Sequence, residues 1–67
     1  MRLTGEVVSW RDNTGYGWVK PDEGGPDLFL HCTAIPDRDW PKIGDRVSYR
    51  EKDGGKGPMA IAVRIIG

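Results

Sequence analysis

The sequence predicts a small all-β protein, a closed barrel of five antiparallel strands. Three observations carry that prediction. No stretch holds the 3.6-residue apolar period over the ~10 positions that a helix needs. Short runs rich in β-branched and aromatic residues recur instead, separated by Gly, Pro, Asn and Asp. With ten glycines and five prolines in 67 residues, turns are frequent and connections short, and closure removes the exposed edges of so small a sheet.

The first strand runs from Leu3 to Arg11, with β-branched Thr4, Val7 and Val8 and with Trp10 near its end. Asp12-Asn13-Thr14-Gly15 is a turn. Tyr16 to Lys20 forms the second strand, stopped by Pro21, which has no N–H for a sheet ladder. Asp22-Glu23-Gly24-Gly25-Pro26 turns the chain into a third strand, Asp27 to His31. Thr33 to Trp40 is irregular, with room for one helical turn before Pro36. Ile43-Gly44-Asp45 leads into the fourth strand, Arg46 to Lys52. Asp53-Gly54-Gly55-Lys56-Gly57-Pro58 is a hairpin loop, and Met59 to Ile66 is the fifth strand. Residues 1–67 read as one domain without repeat or linker. Gly67 directly follows an apolar strand, which leaves a continuation of the chain open.

Composition narrows the function classes. A hydrophobic share of 37% gives a compact core with little room for the ~300–1,000 Å³ pocket of a small-molecule substrate. No apolar run approaches the ~18 residues of a membrane span, and the N-terminus lacks the profile of a secretory signal. The single Cys32 excludes an internal disulfide and the multi-Cys zinc patterns, and fits a reducing compartment. The expectation is a cytoplasmic protein with no membrane contact, cofactor or metal. Ten Lys+Arg balance ten Asp+Glu, a net charge of zero, so no long-range field draws the chain to polyanions. A nucleic-acid ligand would be held mainly by contacts other than phosphate neutralisation.

Alternation along strands sorts the side chains. Tyr16, Trp18 and Lys20 share one face of the second strand, and Phe29 and His31 one face of the third. Val19, Leu28 and Leu30, with Val7, Val47, Ile61, Val63 and Ile65, are the natural core, so the rings lie outward. Tyr16, Trp18, Phe29 and His31 then make an apolar patch rimmed by Lys20 and Arg11, where scattered single apolar residues would be ordinary. Flat rings accept any base, at roughly 1–3 kcal/mol each. The inverse arrangement, rings inside and aliphatics outside, fits a small barrel interior less well.

Other chemistry is thin. His31 has no Cys or His partners at metal spacing. Neighbours on a strand point to opposite faces, so His31 and Cys32 are not expected to meet as a catalytic pair. Lys56-Gly57 lacks the spacing of a phosphate loop, although Lys56 can reach a phosphate. Asp22-Glu23 and Asp37 with Asp39 read as solvated loop charge. Asp27 suits either a turn or a hydrogen bond to a base edge, and Tyr49 suits packing. Trp40 is either a lid over the patch or a plug for its own loop. No acid, base and nucleophile converge, so no catalytic residue is assigned and no enzyme is expected.

Gly15-Tyr16-Gly17-Trp18-Val19 resembles the first ribonucleoprotein motif of the cold-shock domain family, typically Lys-Gly-Phe-Gly-Phe-Ile, and Leu28-Phe29-Leu30-His31 resembles the second, Val-Phe-Val-His. Pro21 to Gly25, Thr33-Ala34-Ile35, Gly44 to Tyr49 and Lys56 to Ala60 resemble family segments in the same order, so the resemblance spans the chain. There are departures. Thr14 stands for the usual Lys, Tyr16 and Trp18 for two phenylalanines, and Cys32 for a frequent Phe. In the ungapped register Ser9 takes the place of the family's Trp on the first strand and Trp10 that of its Phe, with Arg11 as a nearby cation; the alternative register sets Trp10 on the family's Trp, with an insertion before it and a deletion in the following turn. The loop carrying Trp40 is about two residues shorter.

The resemblance implies a five-stranded OB-fold barrel that binds single-stranded RNA or DNA, as RNA chaperones and cold-shock-type regulators do. The expected stacking residues are Trp10, Tyr16, Trp18, Phe29, His31 and Trp40. Arg11, Lys20, Asp27, Arg38 and Lys56 are the expected polar and backbone contacts. The protein is expected as a monomer or a strand-swapped dimer. A small β-barrel that docks a peptide on the same aromatic patch is the alternative.

Overall fold

The computed structural model describes residues 2–36, 40–55 and 57–67. The chain forms β1 (Leu3–Arg11), β2 (Tyr16–Pro21) and β3 (Leu28–His31), a 3₁₀ turn over Cys32–Ala34, then β4 (Arg46–Asp53) and β5 (Pro58–Ile65). The strands close into a barrel in the order β1-β2-β3-β5-β4, with β4 returning to β1. Four pairings are antiparallel and one, β3 with β5, is parallel. The all-antiparallel expectation is corrected on that point, for a reason of parity. Directions cannot alternate all the way round a ring with an odd number of strands, so at least one neighbouring pair must run the same way.

Val7, Val19, Leu28, Leu30, Val47 and Val63 fill the interior with Ala34, Ile35, Tyr49 and Ala60. Fully burying a Val or Leu is worth about 1.5–3 kcal/mol, and this cluster is the main source of stability. Tyr49 is 1% exposed, and burial pushes its phenol above the ordinary tyrosine range. Two predicted core residues do not join it: Ile61 is half-buried on the outside and Ile65 is exposed.

Two β-bulges explain which side chains face out. On β1 the register passes from Val7↔Val19 to Ser9↔Trp18, leaving Val8 as the extra residue. Alternation inverts there, so Ser9 and Arg11 stand opposite Trp18 and Tyr16, whereas Trp10 stands opposite Gly17. On β5 the register passes from Ser48↔Arg64 to Arg50↔Ile61, so Ala62 and Val63 together oppose Tyr49. Ala62 takes φ 51, a left-handed backbone that β-carbons disfavour. This bulge turns Ile61 outward while Ala60 and Val63 point in. Ile65 keeps the inward phase opposite Val47, at an end of the barrel where water reaches it.

Two side chains, Arg2 and Asp22, tie the scaffold. Arg2 donates from Nε to Ser48 Oγ and from Nη2 to the Ser48 carbonyl, each at 3.2 Å, and to the Ala62 carbonyl in the bulge. Asp22, in the turn after β2, accepts from both terminal nitrogens of Arg46, at 2.7 Å from Nη1 to Oδ1. Thr4 Oγ1 donates to Asp22 Oδ2 at 2.6 Å. The hydrogen bonds from Arg46 and Thr4 hold the Asp22 carboxyl at a pKa of about 2.

Candidate nucleic-acid interface

Strand alternation and cross-strand register place the aromatic residues of β2 and β3 side by side. Residues directly opposite on paired strands share a face. Tyr16 pairs with His31 and Trp18 with Phe29, while the intervening Gly17 and Val19 are buried. The ring centroids lie 5.8 Å apart for Tyr16–Phe29, 5.6 Å for Trp18–Phe29 and 6.1 Å for Phe29–His31. Phe29 is therefore the hub of a four-ring cluster. Tyr16 and Trp18 remain 39% and 41% exposed, so the rings face solvent and the aliphatics the interior, as alternation predicts.

His31 serves two structures at once. Its side chain caps the 3₁₀ turn by accepting the Thr33 backbone N–H at Nδ1, at 3.3 Å, with Thr33 Oγ1 2.9 Å from the same nitrogen. In the neutral ring this sets the Nε2–H tautomer, leaving Nε2 as a donor. Cys32 Sγ lies 3.9 Å from Nδ1, which corrects the expectation that the two side chains stay apart. The strand ends at His31 and Cys32 opens the turn, so opposite-face alternation no longer applies.

Trp10 and Trp40 form a second group. Their centroids are 5.9 Å apart at an interplanar angle of 38°. Trp10 is half-buried, packs against the core and donates Nε1–H to Asp12 Oδ1 at 2.7 Å. The β1 bulge puts it in the inward phase, away from the Tyr16–Trp18 face. Trp40 is 43% exposed and lines a groove of about 480 Å³ with Cys32, Thr33, Ile35 and Pro36. That groove begins at Cys32, directly after β3 ends at His31.

The polar candidates are spread around the rings. Arg11 is exposed opposite Tyr16, and Lys20 is exposed opposite Glu6 on the same outer face. Asp27 lies at the start of β3 and lines a groove of about 640 Å³ with Trp18, Pro26, Phe29, Gly54, Gly57, Pro58 and Met59. Arg38 and Lys56 lie outside the described residues.

Met59 and Ser9 share the face and were not foreseen. Cross-strand register gives one row around the barrel, Ser9–Trp18–Phe29–Met59–Lys52. Met59 joins it through the parallel β3–β5 pairing, which alternation within single strands does not reveal. A β-carbon on Gly54 would lie 3.0 Å from Met59 Sδ, so a side chain at Gly54 would crowd the thioether that lines this groove. Among the described residues no three His, Cys, Asp or Glu side chains gather as a metal site, and no helix is long and apolar enough to cross a membrane.

A closed five-stranded barrel with contiguous rings on its outer face belongs to the class of small single-strand-binding barrels. Residues 3–66 match the family described as 'Cold-shock' DNA-binding domain. The chain belongs to the cold-shock domain family, a family that binds single-stranded nucleic acids. It is 34% identical over 64 residues to the cold shock-like protein CspA of Vibrio cholerae serotype O1, covering 92% of this chain and 91% of that protein. Cold shock-like protein CspC of Escherichia coli K12 is 31% identical over 67 residues, covering 97% of each. In three dimensions the fold resembles Drosophila Unr CSD456, with a TM-score of 0.82 at 24% identity. That match covers all of this chain and 27% of the other.

Proposed function

We propose that this protein holds single-stranded RNA or DNA by stacking unpaired bases on Tyr16, Trp18, Phe29 and His31. In this reading Trp10 and Trp40 receive a base at the His31 end, and Arg11 and Lys20 meet the sugar–phosphate backbone. Asp27 is offered to a base edge, and Arg38 and Lys56 are further backbone contacts. The observation that carries the reading is the four-ring cluster at 5.6–6.1 Å spacing on adjacent strands, with Tyr16 and Trp18 exposed around a half-buried Phe29. Cross-strand ring pairs stabilise the sheet by about 0.2–1 kcal/mol each, whereas a base stacked on them contributes about 1–3 kcal/mol.

Capturing unstacked bases shifts the equilibrium away from paired RNA without ATP, which is the work of an RNA chaperone. The reading needs no catalysis, cofactor or small-molecule substrate, and it fits a cytoplasmic monomer or strand-swapped dimer. Relatives named as cold shock-like proteins support it.

Quenching of tryptophan fluorescence by short oligo-dT or oligo-U tests it. Trp18→Ala and Phe29→Ala are expected to weaken binding by about 1–3 kcal/mol each. Undiminished affinity in both variants, or quenching by a proline-rich peptide but by no oligonucleotide, would overturn the proposal.

A further inference from the structure

The net charge of zero conceals a segregation. Val47 and Tyr49 point inward from β4, so Arg46, Ser48, Arg50 and Lys52 point outward. Across the ladder Arg64 stands beside Ser48 on that outer face. Arg2 precedes Leu3, the partner of Tyr49, and so lies next to Arg50. The acids of the same hairpin, Glu51 and Asp53, alternate to the other side, where Glu51 lines a small groove with Leu3 and Tyr49. Arg46 is neutralised by Asp22, and Glu6 lies between Arg46 and Lys20. Arg2, Arg50, Lys52 and Arg64 are left as one cationic face without an acid opposite them in the ladder.

Like charges on neighbouring positions of a sheet repel, so this face is unfavourable in the free protein and relieved when an anion lies on it. It is also continuous with the rings. Lys52 pairs with Met59, Met59 with Phe29, and Phe29 with Trp18. Arg2 is fixed across the face by its bonds to Ser48 and to the Ala62 carbonyl, so one of the cations is already ordered.

We infer that the outer face of the β4–β5 hairpin, formed by Arg2, Arg50, Lys52 and Arg64, is a second, electrostatic site for the phosphodiester backbone of a strand whose bases stack on the β2–β3 rings. The inference rests on the stacking proposal. A short ligand occupies the rings alone and releases few counterions. A longer one passes over Met59 and Lys52 onto the cations, so affinity becomes steeply salt-dependent only with length.

The test compares oligo-dT of about four and about twelve nucleotides, both within the ~4–16 nucleotides that a single barrel can cover, in salt titrations. For the wild-type protein the long oligonucleotide is expected to show a log–log slope steeper by about 2, from three added phosphate contacts at Arg50, Lys52 and Arg64 of ~0.7 each, Arg2 being engaged by Ser48 and Ala62. The triple variant R50Q/K52Q/R64Q alters exposed residues. It is expected to abolish that difference, to weaken the long ligand about tenfold at low salt, and to leave the short one unchanged. Equal slopes for both lengths in the wild-type protein, which needs no variant, would overturn the inference. So would competition by polyglutamate peptide that is lost in the triple variant while long-strand affinity is unchanged, which would assign the face to an acidic protein. Failure of the short oligonucleotide to quench tryptophan fluorescence would instead remove the stacking proposal.

Discussion

The two bulges solve the same geometric problem with different chemistry. At the β1 bulge the neighbouring strand supplies a glycine: a β-carbon on Gly17 would sit 2.0 Å from the Ser9 carbonyl oxygen, so β1 folds its extra residue into space that only a hydrogen leaves free. At the β5 bulge the extra residue itself bears the conformational cost, Ala62 at φ 51, and Arg2 satisfies its carbonyl from outside. The first bulge brings Ser9 and Arg11 to the aromatic face and turns Trp10 inward. The second turns Ile61 outward beside Arg50. An inserted residue thus decides surface chemistry as strongly as the identity of the side chains around it.

Breaking the first bulge has the largest expected effect. Gly17→Ala forces backbone against backbone and is expected to lower stability by about 3 kcal/mol, read as a fall in the urea midpoint. A loss under about 1 kcal/mol would mean that the close approach is absent. Relaxing the second bulge sharpens the contrast. Ala62→Gly is expected to raise stability by about 0.5–1 kcal/mol, since glycine takes a left-handed φ without strain. A lower midpoint would show that Ala62 is not strained.

The smallest effect concerns the tie that anchors the turn after β2 to β4 and β1. Asp22 has a folded pKa of about 2 against the ordinary 3.8, so its contribution is present above pH ~4 and is lost as the pH falls towards 2. The side chains are 43% exposed at Arg46 and 37% at Asp22, so solvent screens the pair and the loss is small. Asp22→Asn should flatten that stretch of the acid stability curve and leave neutral-pH binding to oligonucleotides unchanged. An unaltered acid curve would show that the pair contributes nothing.

Strand positions are legible because Gly and Pro punctuate the chain so regularly: the predicted β1 has the observed bounds, and the other predicted strands agree within one residue at each end. The faces of β2 and β3 were legible because neither strand contains a bulge, so Tyr16, Trp18, Phe29 and His31 obey simple alternation. Trp10, Ile61 and Ile65 were not. A bulge adds a residue without a compositional mark, and Ala62 is not the glycine that usually signals one. Met59 escaped for another reason. Its place beside Phe29 depends on a parallel pairing between segments about thirty residues apart, a long-range fact that local pattern does not encode.

The parity of the ring has a further consequence. The parallel join that an odd number of staves requires is also short, with two register pairs, Phe29↔Met59 and Leu30↔Ala60. It is the natural place for the barrel to spring open, because so little ladder holds it shut. Phe29 belongs both to this seam and to the centre of the rings, so whatever rests on Phe29 also bears on the latch. On the proposed function, a base stacked on Phe29 would brace the hoop at this join.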